Sequence, residues 1–315
     1  MKSEVMPCPV CSSERISFYA HARDTEYCST DEIYTYLLCS ECDTVFLASP
    51  PVDRLQEIYP STYYSYQHDS DGHSILQAVK AKLDRRMFTK LLSQLQGNQL
   101  SVLDVGGGSG WLLTQVKQLS PRIAETHEVD IDRGAQAAAE SAGHQFHCVS
   151  IEQFEPPQHF DLILMLNLIE HVADPGQVLR SMERALSPQG LILIKTPNTA
   201  TLDCRLFQHR NWGGFHCPRH FVLFTKAGFI KLAKRCRLEC VEARHTQGAP
   251  QWTTSVLGWM SQRGWVTISP ERPMYCHVLH GPLLALFAGF DFIRKPFCGT
   301  AQMVITLKKR PVTGD

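Results

Sequence analysis

The sequence predicts an α/β fold: a doubly wound, mainly parallel sheet of seven strands that follows a small cysteine-rich module. Two observations predict it. Between residues 97 and 200, short apolar runs of strand length alternate with segments of helical periodicity, which is typical of parallel sheets covered by helices. Ahead of them, two Cys-x-x-Cys pairs mark a separate small unit. With 315 residues, the chain is long enough for about two domains.

Composition narrows the class of protein. Lys plus Arg and Asp plus Glu both number 31, so the formal net charge is zero and no overall positive field favours nucleic acid as a partner. Residues 1–10 lack the apolar core of a secretory signal. Without such a signal, 12 cysteines favour reduced thiols, some of them on metal. The apolar stretch 282–293 contains Asp291 and is too short to span a bilayer. We expect a cytoplasmic protein without a transmembrane segment, in which this stretch is a buried or interfacial helix.

The paired cysteines predict a structural zinc site. Cys8 and Cys11 form the first pair, Cys39 and Cys42 form the second, and 27 residues separate the pairs. Each pair places two thiolates on one tight turn, and two such turns complete a tetrahedral set of four sulfur ligands. Because all four ligands come from the protein, the metal would have no open position for catalysis. We therefore predict a zinc ribbon over residues 1–48.

Residues 49–98 are predicted to connect the ribbon to the main domain. A Ser-Pro-Pro break opens this part, and a tyrosine-rich segment follows it. Residues 74–96 then place apolar side chains at helical spacing on one side and lysines and arginines on the other. We interpret the basic side as a solvent-exposed face; attraction of an anionic substrate is the less favoured alternative.

The main domain, residues 99–315, is predicted to contain seven strands and, besides the helix over 282–293, four helices. Strands are predicted at 100–105, 123–130, 145–149, 160–166, 191–195, 239–245 and 302–308. Helices are predicted at 111–119, 134–142, 176–186 and 226–235. The sequence Ser-Pro-Gln-Gly at 187–190 is predicted to form the turn between the third of these helices and the fifth strand.

The first strand of the main domain runs straight into a glycine-rich turn. Its glycines are Gly106, Gly107, Gly108 and Gly110. Glycine permits positive φ angles and a close approach of the backbone to a ligand. The GxGxxG spacing of dinucleotide sites would need a glycine at position 111, where the chain has Trp111, so a nicotinamide-dependent enzyme is disfavoured. Asp104 adds a carboxylate at the end of the strand.

Four motifs in order resemble class I S-adenosylmethionine (SAM) methyltransferases. Residues 102–110, VLDVGGGSG, resemble the first motif of that family, and Asp130 follows in a segment of its VDIS type. Residues 160–175 resemble the family's FDxIxxxxxxEHxxDP segment, and residues 190–198 resemble the strand that comes next. The resemblance runs from about residue 97 to residue 200. It implies a Rossmann-like sheet that binds SAM, with the seventh strand antiparallel between the fifth and the sixth.

The resemblance also implies a set of cofactor-binding residues. Asp130, at the tip of the second strand, would accept hydrogen bonds from both ribose hydroxyls, with Asp132 as a competing choice at the same tip. Asp104 would lie near the sulfonium and amino-acid end of SAM. Many relatives carry an aspartate where this chain has Ser150, so Glu152 or backbone groups would hold the adenine amino group. The implied set is Asp104, Gly106, Gly107, Gly108, Gly110, Asp130, Ile131, Ile151, Glu152 and Asn167.

Two segments, residues 199–224 and 248–298, are predicted to form the acceptor side. The first lies past the C-terminal edge of the fifth strand, where ligands bind in open α/β sheets. It resembles the W…PxHxxxFT segment of small-molecule and glycan-modifying methyltransferases. His220 and His216 are the best candidates there for a catalytic base, since imidazole titrates near neutral pH. A structural role for His220 is an equal alternative. The second segment is interpreted as scaffold, with a lid or an apolar acceptor pocket as alternatives.

His171 is a third catalytic candidate. Ubiquinone-pathway O-methyltransferases carry a Glu-x-x-Glu-His run that binds a divalent metal, and Glu170-His171 resembles the end of that run. The first position of the run is Asn167 in this chain, so one charged ligand is missing. We therefore favour a packing role for His171.

Together these resemblances imply an enzyme. A ribbon followed by a methyltransferase sheet is similar to the front two modules of deoxysugar C-methyltransferases. The Asn/Asp-Pro-Pro-Tyr/Phe motif of amino-group nucleic-acid methylators is absent. We expect SAM-dependent methyl transfer to an oxygen or carbon nucleophile of a small-molecule or glycan-like acceptor. The alternative is a catalytically silent adaptor that uses the ribbon to bind protein or RNA; the oligomeric state is left open.

Overall fold

The structure is a computed structural model that describes residues 6–60, 63 and 75–311. Its N-terminal module is an antiparallel meander of three strands: β1 (Ile16–Ala22), β2 (Tyr34–Cys39) and β3 (Thr44–Leu47). The turn between β2 and β3 carries the second cysteine pair, as the ribbon prediction requires. In the predicted tyrosine-rich segment, Tyr64 and Tyr66 lie outside the described residues.

Eight further strands follow in the described residues, and all but one belong to the main sheet. They are β4 (Leu100–Val105), β5 (Ile123–Asp130), β6 (Gln145–Cys148), β7 (Phe160–Leu166), β8 (Leu186–Pro197), β9 (Val222–Leu223), β10 (Leu238–Thr246) and β11 (Gln302–Lys309). Seven of them form one sheet in the order β10-β11-β8-β7-β4-β5-β6, and β11 is antiparallel to both of its neighbours. The predicted α/β sheet, with its late antiparallel strand between the fifth and the sixth, is confirmed.

Helices cover both faces of this sheet, so its central strands are apolar on both sides. In β7, residues 162–165 are fully buried. The helices are α1 (Leu55–Ile58), α2 (Ile75–Leu92), α3 (Trp111–Lys117), α4 (Arg133–Ser141), α5 (Pro175–Ala185), α6 (Leu202–Phe207), α7 (Lys226–Arg235), α8 (Ala249–Gln262) and α9 (His280–Arg294). The predicted helices correspond to α2, α3, α4, α5 and α7 within a few residues at each end.

The predicted turn at 187–190 differs from the structure. Leu186 already pairs with Phe160, and the next regular pair joins Leu191 to Leu162, so the four residues between them bulge out of a strand that has already begun. Gly190 lies against the Phe160 and Asp161 carbonyl oxygens, where an added Cβ would meet them at 3.0 and 3.1 Å. The glycine therefore serves a close backbone approach inside β8 rather than a free turn.

The ribbon continues into the first acceptor-side segment. β9, which lies within residues 199–224, pairs antiparallel with β3 through Val45 with Leu223 and Phe46 with Val222. The ribbon sheet therefore has four strands, in the order β1-β2-β3-β9. Its apolar side chains belong to the same buried cluster as those of β7 and β8. Residues of the ribbon thus reach the region beyond the end of β8.

The segment 248–298, the second one predicted to lie on the acceptor side, contains a pair of packed helices, α8 and α9. The Trp252 ring stacks on Phe287 with their centroids 5.2 Å apart. Asp291 is buried, accepts a hydrogen bond from the Gly248 amide at 2.6 Å and pairs with Arg294. The predicted helix over 282–293 is present within α9. Among the described residues, none of the helices has the length and apolar character needed to cross a bilayer.

Candidate functional site

The glycine turn between β4 and α3 has the backbone geometry that requires glycine. Gly106, Gly108 and Gly110 have φ angles of 77°, 61° and 73°, in the left-handed region that other residues rarely adopt. Gly106 packs against Leu168, since an added Cβ would lie 2.8 Å from its Cδ1. In front of Gly108, no atom of the described chain lies within 4 Å of where a Cβ would stand. The turn is therefore supported on one side and open on the other.

Two carboxylates of β5 accept hydrogen bonds from this turn. Glu128 and Asp130 stand two residues apart, on the same face of the strand. The Gly107 amide donates to Glu128 Oε1 at 2.7 Å, and the Gly108 amide donates to Asp130 Oδ2 at 3.0 Å. A side chain on Gly107 would collide with Glu128 and Asp104, so glycine is needed there for space. The predicted Asp104 and Asp130 thus converge on the glycine turn, and Glu128 joins them.

Burial, together with neighbouring negative charge, raises the pKa of each of the three carboxylates. Burial, helped by the charge of Asp130, raises the pKa of Asp104 to about 7. Burial and the charge of Asp104 hold the pKa of Glu128 well above its ordinary value, and burial also raises the pKa of Asp130. Within the described chain, Asp104 Oδ2 and Glu128 Oε2 are buried without a hydrogen-bond partner. These two oxygens have no partner among the described residues, and a cationic nucleoside with ribose hydroxyls would bring both positive charge and hydrogen-bond donors.

The alternative ribose acceptor, Asp132, has another role. Its Oδ1 accepts a hydrogen bond from the Gly134 amide at 2.8 Å, which makes it the N-cap of α4. Its own amide donates to Asp130 Oδ1 at 2.9 Å and so helps to orient that carboxylate. The geometry favours Asp130 over Asp132 as the group that faces the glycine turn.

The other predicted cofactor residues flank the same edge of the sheet. Ile131 is 59% exposed just after β5, and Ile151 is buried after β6, with Glu152 beside it in solvent. Asn167 follows β7 with a φ of 56°, and its side-chain Oδ1 is buried with no partner among the residues described. Asn167 thus adds another orphaned acceptor at the C-terminal ends of the strands.

The four predicted zinc ligands converge. Cys8 Sγ lies 3.6 Å from Cys42 Sγ, and Cys11 Sγ lies 3.5 Å from Cys39 Sγ. All four sulfur atoms lie within 4.8 Å of one another. A tetrahedron with Zn–S bonds of about 2.3 Å has edges of about 3.8 Å, so this cluster is compatible with zinc.

The three histidine candidates form one cluster beyond the end of β7. The ring centroids of His171 and His220 are 4.7 Å apart, those of His216 and His220 are 5.0 Å apart, and those of His171 and His216 are 6.2 Å apart. His171 Nδ1 lies 2.8 Å from the Tyr59 hydroxyl. Burial and the neighbouring His216 lower the pKa of His171 to about 3, in keeping with a packing role.

His220 faces a buried acid. Its Nδ1 donates to the Gly214 carbonyl at 2.8 Å, and its Nε2 lies 3.9 Å from Glu170 Oε1. Burial raises the pKa of Glu170 to about 8, and burial with His171 holds the pKa of His220 well below its ordinary value. The ligand atoms of Glu170, His171 and His220 lie within 4.8 Å of one another. Near neutral pH this group is uncharged, which favours the structural alternative for His220.

Several residues of this cluster were not predicted. Glu26 Oε1 lies 2.9 Å from His216 Nδ1. The Arg219 guanidinium donates to Asp24 Oδ2 at 2.8 Å, with both side chains fully buried, and lies over the Tyr27 ring at 4.5 Å from its centroid. Although burial opposes it, the charge of Arg219 lowers the pKa of Asp24. These partners lie 190 or more positions apart, so no local pattern could have paired them.

Comparisons with known proteins agree with this geometry. Residues 76–243, more than half of the chain, match the family model described as "Methyltransferase domain". The chain is similar to the ubiquinone biosynthesis O-methyltransferase of Bradyrhizobium diazoefficiens, with 31% identity over 122 residues, 37% of this chain and 43% of that protein. The protein of that name from a Caulobacter species is 34% identical over 104 residues, which cover 31% and 41% of the two chains. The chain therefore spans about half, or less, of the length of these relatives.

Solved structures share the fold. Coclaurine N-methyltransferase, bound to N-methylheliamine and SAH, matches with a TM-score of 0.52 and 16% identity over 76% of this chain and 73% of its own. The StiE O-methyltransferase domain matches with a TM-score of 0.50 and 13% identity over 78% and 80% of the two chains. These comparisons do not favour a non-enzymatic adaptor. From its family match and its strand order, the chain belongs to the class I SAM-dependent methyltransferases.

Proposed function

We propose that the protein transfers the methyl group of SAM to an oxygen or carbon nucleophile of a small-molecule or glycan-like acceptor, and that its four clustered cysteines hold a structural zinc ion. The observation that carries the proposal is the trio of carboxylates at the glycine turn, two of which bury an oxygen without a partner in the described chain. The relatives' printed activity, O-methyl transfer in ubiquinone biosynthesis, supports oxygen as the nucleophile.

On the cofactor side, this chain's residues would bind and orient. When bound, SAM supplies a methyl group that its sulfonium already activates. Asp130 would exchange the Gly108 amide for ribose hydroxyls, and Asp104 and Glu128 would stabilise a cationic ligand by ionising beside it. The buried Ile151 offers an apolar surface for a base ring, and the Asn167 carbonyl offers an acceptor.

On the acceptor side, the chain would orient a nucleophile and receive its proton. His171 of the histidine cluster lies in the loop directly after β7, and the same loop carries Leu168, which packs on Gly106. His216 is the base that the geometry favours, because its Nδ1 faces a carboxylate whereas His220 faces a buried acid. A positioned base contributes roughly 10²–10⁴-fold to such reactions.

Calorimetric titration with SAM tests the cofactor side. The change Asp130→Ala is expected to weaken binding roughly 100-fold, since two hydrogen bonds to a charged group are lost. Asp132→Ala is the matched control, because it removes the same chemical group two residues away. It removes the N-cap of α4, which should lower the stability of the protein by about 1 kcal/mol. SAM affinity should remain unchanged. Equal affinities for wild type and Asp130→Ala would refute the ribose assignment.

SAM binding is also expected to release protons. In the free protein Asp104 has a pKa of about 7, and a cation beside it favours the ionised form, so binding lowers that pKa. Affinity should therefore rise roughly fivefold between about pH 6 and about pH 7 and level off above about pH 8. Calorimetry in buffers of different ionisation enthalpy measures the proton release directly. The variant Asp104→Asn should show a flatter profile; an affinity that falls as the pH rises would contradict the assignment.

A further inference from the structure

The ribbon loop between β1 and β2 reaches the histidine cluster. Asp24 organises its first turn: Oδ1 accepts hydrogen bonds from the Glu26 and Tyr27 amides, and Oδ2 accepts one from the Ser29 amide. This turn directs the Glu26 side chain to His216, where Oε1 lies 2.9 Å from Nδ1. The Glu26 carbonyl oxygen also accepts from the Met274 amide at 2.8 Å, so the loop is held from both sides.

The contact with Glu26 fixes the proton on His216. A carboxylate can only accept a hydrogen bond, so Nδ1 must carry the proton, and Nε2 of the neutral ring keeps its lone pair. This is the opposite of the tautomer that predominates for a free imidazole in water. His216 Nε2 lies 3.3 Å from the Tyr63 hydroxyl. Glu26, His216 and Tyr63 therefore form a chain that runs from the ribbon into the cluster.

A series of neighbouring residues connects His216 to the glycine turn. Its ring centroid is 6.2 Å from that of His171, which belongs to the 3-10 turn directly after Leu168. Leu168 in turn packs on Gly106 of the glycine turn. The other two histidines point elsewhere, since Nδ1 of His171 meets Tyr59 and Nε2 of His220 faces Glu170. His216 is thus the one histidine of this cluster that pairs with a carboxylate through Nδ1.

We propose that Glu26 is a positioning residue for His216: the ribbon's carboxylate holds the proton on Nδ1 and so keeps the Nε2 lone pair, which accepts from the Tyr63 hydroxyl in this structure, as the atom that receives the proton of the acceptor. This inference rests on the proposed function and extends it. The ribbon is then part of the acceptor site and not only a source of stability.

Nitrogen-15 NMR of the histidine rings in the zinc-loaded full chain tests the inference without an acceptor. Wild type is expected to show His216 as the Nδ1–H tautomer. In Glu26→Ala the Nε2–H tautomer should become the major form, because the acceptor at Nδ1 is lost. Glu26→Leu, which keeps the volume and cannot accept a hydrogen bond, should behave in the same way.

Two references make the result specific. Glu14→Ala, an exposed ribbon position with the same change of charge, is expected to leave His216 as in wild type. His220, whose Nδ1 donates to the Gly214 carbonyl, should remain the Nδ1–H tautomer throughout and so report an intact cluster. If His216 keeps its Nδ1–H tautomer in both Glu26 variants while His220 is unchanged, the positioning role is overturned.

Calorimetric titration with SAH separates this inference from the proposed function. All three glutamate variants are expected to bind SAH as wild type does, because neither Glu26 nor Glu14 is among the described residues that contact the glycine turn. The side chains that contact it include Leu168, Asp104, Glu128, Asp130 and His144. Absence of SAH binding by wild type would overturn the proposed function. A changed His216 tautomer with unchanged SAH binding supports the positioning role.

Discussion

Replacement of Cys39 by serine is expected to abolish stoichiometric zinc binding and to open the ribbon. In small metal-dependent modules the binding free energy of structural zinc, about 10–16 kcal/mol, is folding free energy. Three of the four cysteines are buried and their sulfur atoms are already at tetrahedral spacing, so one missing ligand leaves a buried cluster incomplete. The expected result is loss of bound zinc by elemental analysis and loss of amide-exchange protection in β1, β2 and β3.

Cys28→Ser is the matched control for that change. Cys28 lies between the two pairs, is half-buried and does not belong to the clustered set. This variant should retain one zinc ion per chain and wild-type protection of the ribbon. If Cys39→Ser also kept its zinc and its protection, the cysteine cluster would not be a metal site.

The change Arg219→Met is expected to destabilise the protein by about 3–5 kcal/mol. It leaves the carboxylate of Asp24 buried without its counter-charge, which is the costly way to break an interior ion pair. Both side chains are fully buried, and the guanidinium also loses its position over the Tyr27 ring. Urea denaturation should show a lower midpoint with an unchanged slope.

Arg54→Met provides the comparison with an exposed pair. Arg54 donates two hydrogen bonds of 2.8 Å to Glu32, yet both side chains are more than 40% exposed, so solvent screens the pair and its loss should cost far less stability than the loss of Arg219. The double variant Asp24→Asn with Arg219→Met should be more stable than Arg219→Met alone, since no uncompensated charge remains. If Arg219→Met and Arg54→Met lowered the free energy of unfolding equally, burial would not be what makes the Arg219–Asp24 pair important for stability.

Local chemistry made much of the fold predictable from the sequence. Apolar runs of strand length located β4, β5 and β7, and the left-handed φ angles of the glycine turn explain why glycines had to stand at 106, 108 and 110. The positions of the Asp104 and Asp130 carboxylates beside the glycine turn could also be predicted, because each residue lies at or near the end of a predicted strand. Glu128 was within reach of the same argument, because it alternates with Asp130 on one face of β5.

The remaining features depend on contacts between distant parts of the chain. β9 has only two residues and no periodicity of its own, and its pairing with β3 arises in the folded chain. The partnership of Glu26 with His216 likewise has no local signature. The bulge at 187–190 follows from the backbone approach at Gly190, which no turn propensity encodes.

The pairing of β3 with β9 has a consequence for how this protein is divided. Val222 and Leu223 are buried, and their backbone groups are paired with the ribbon. A shortened chain without the cysteine module would leave that edge bare and apolar, a template for intermolecular association. The cysteine module and the domain that carries the glycine turn are thus structurally dependent on each other. Neither could be exchanged for the corresponding part of another protein without redesign of the contact between β3 and β9.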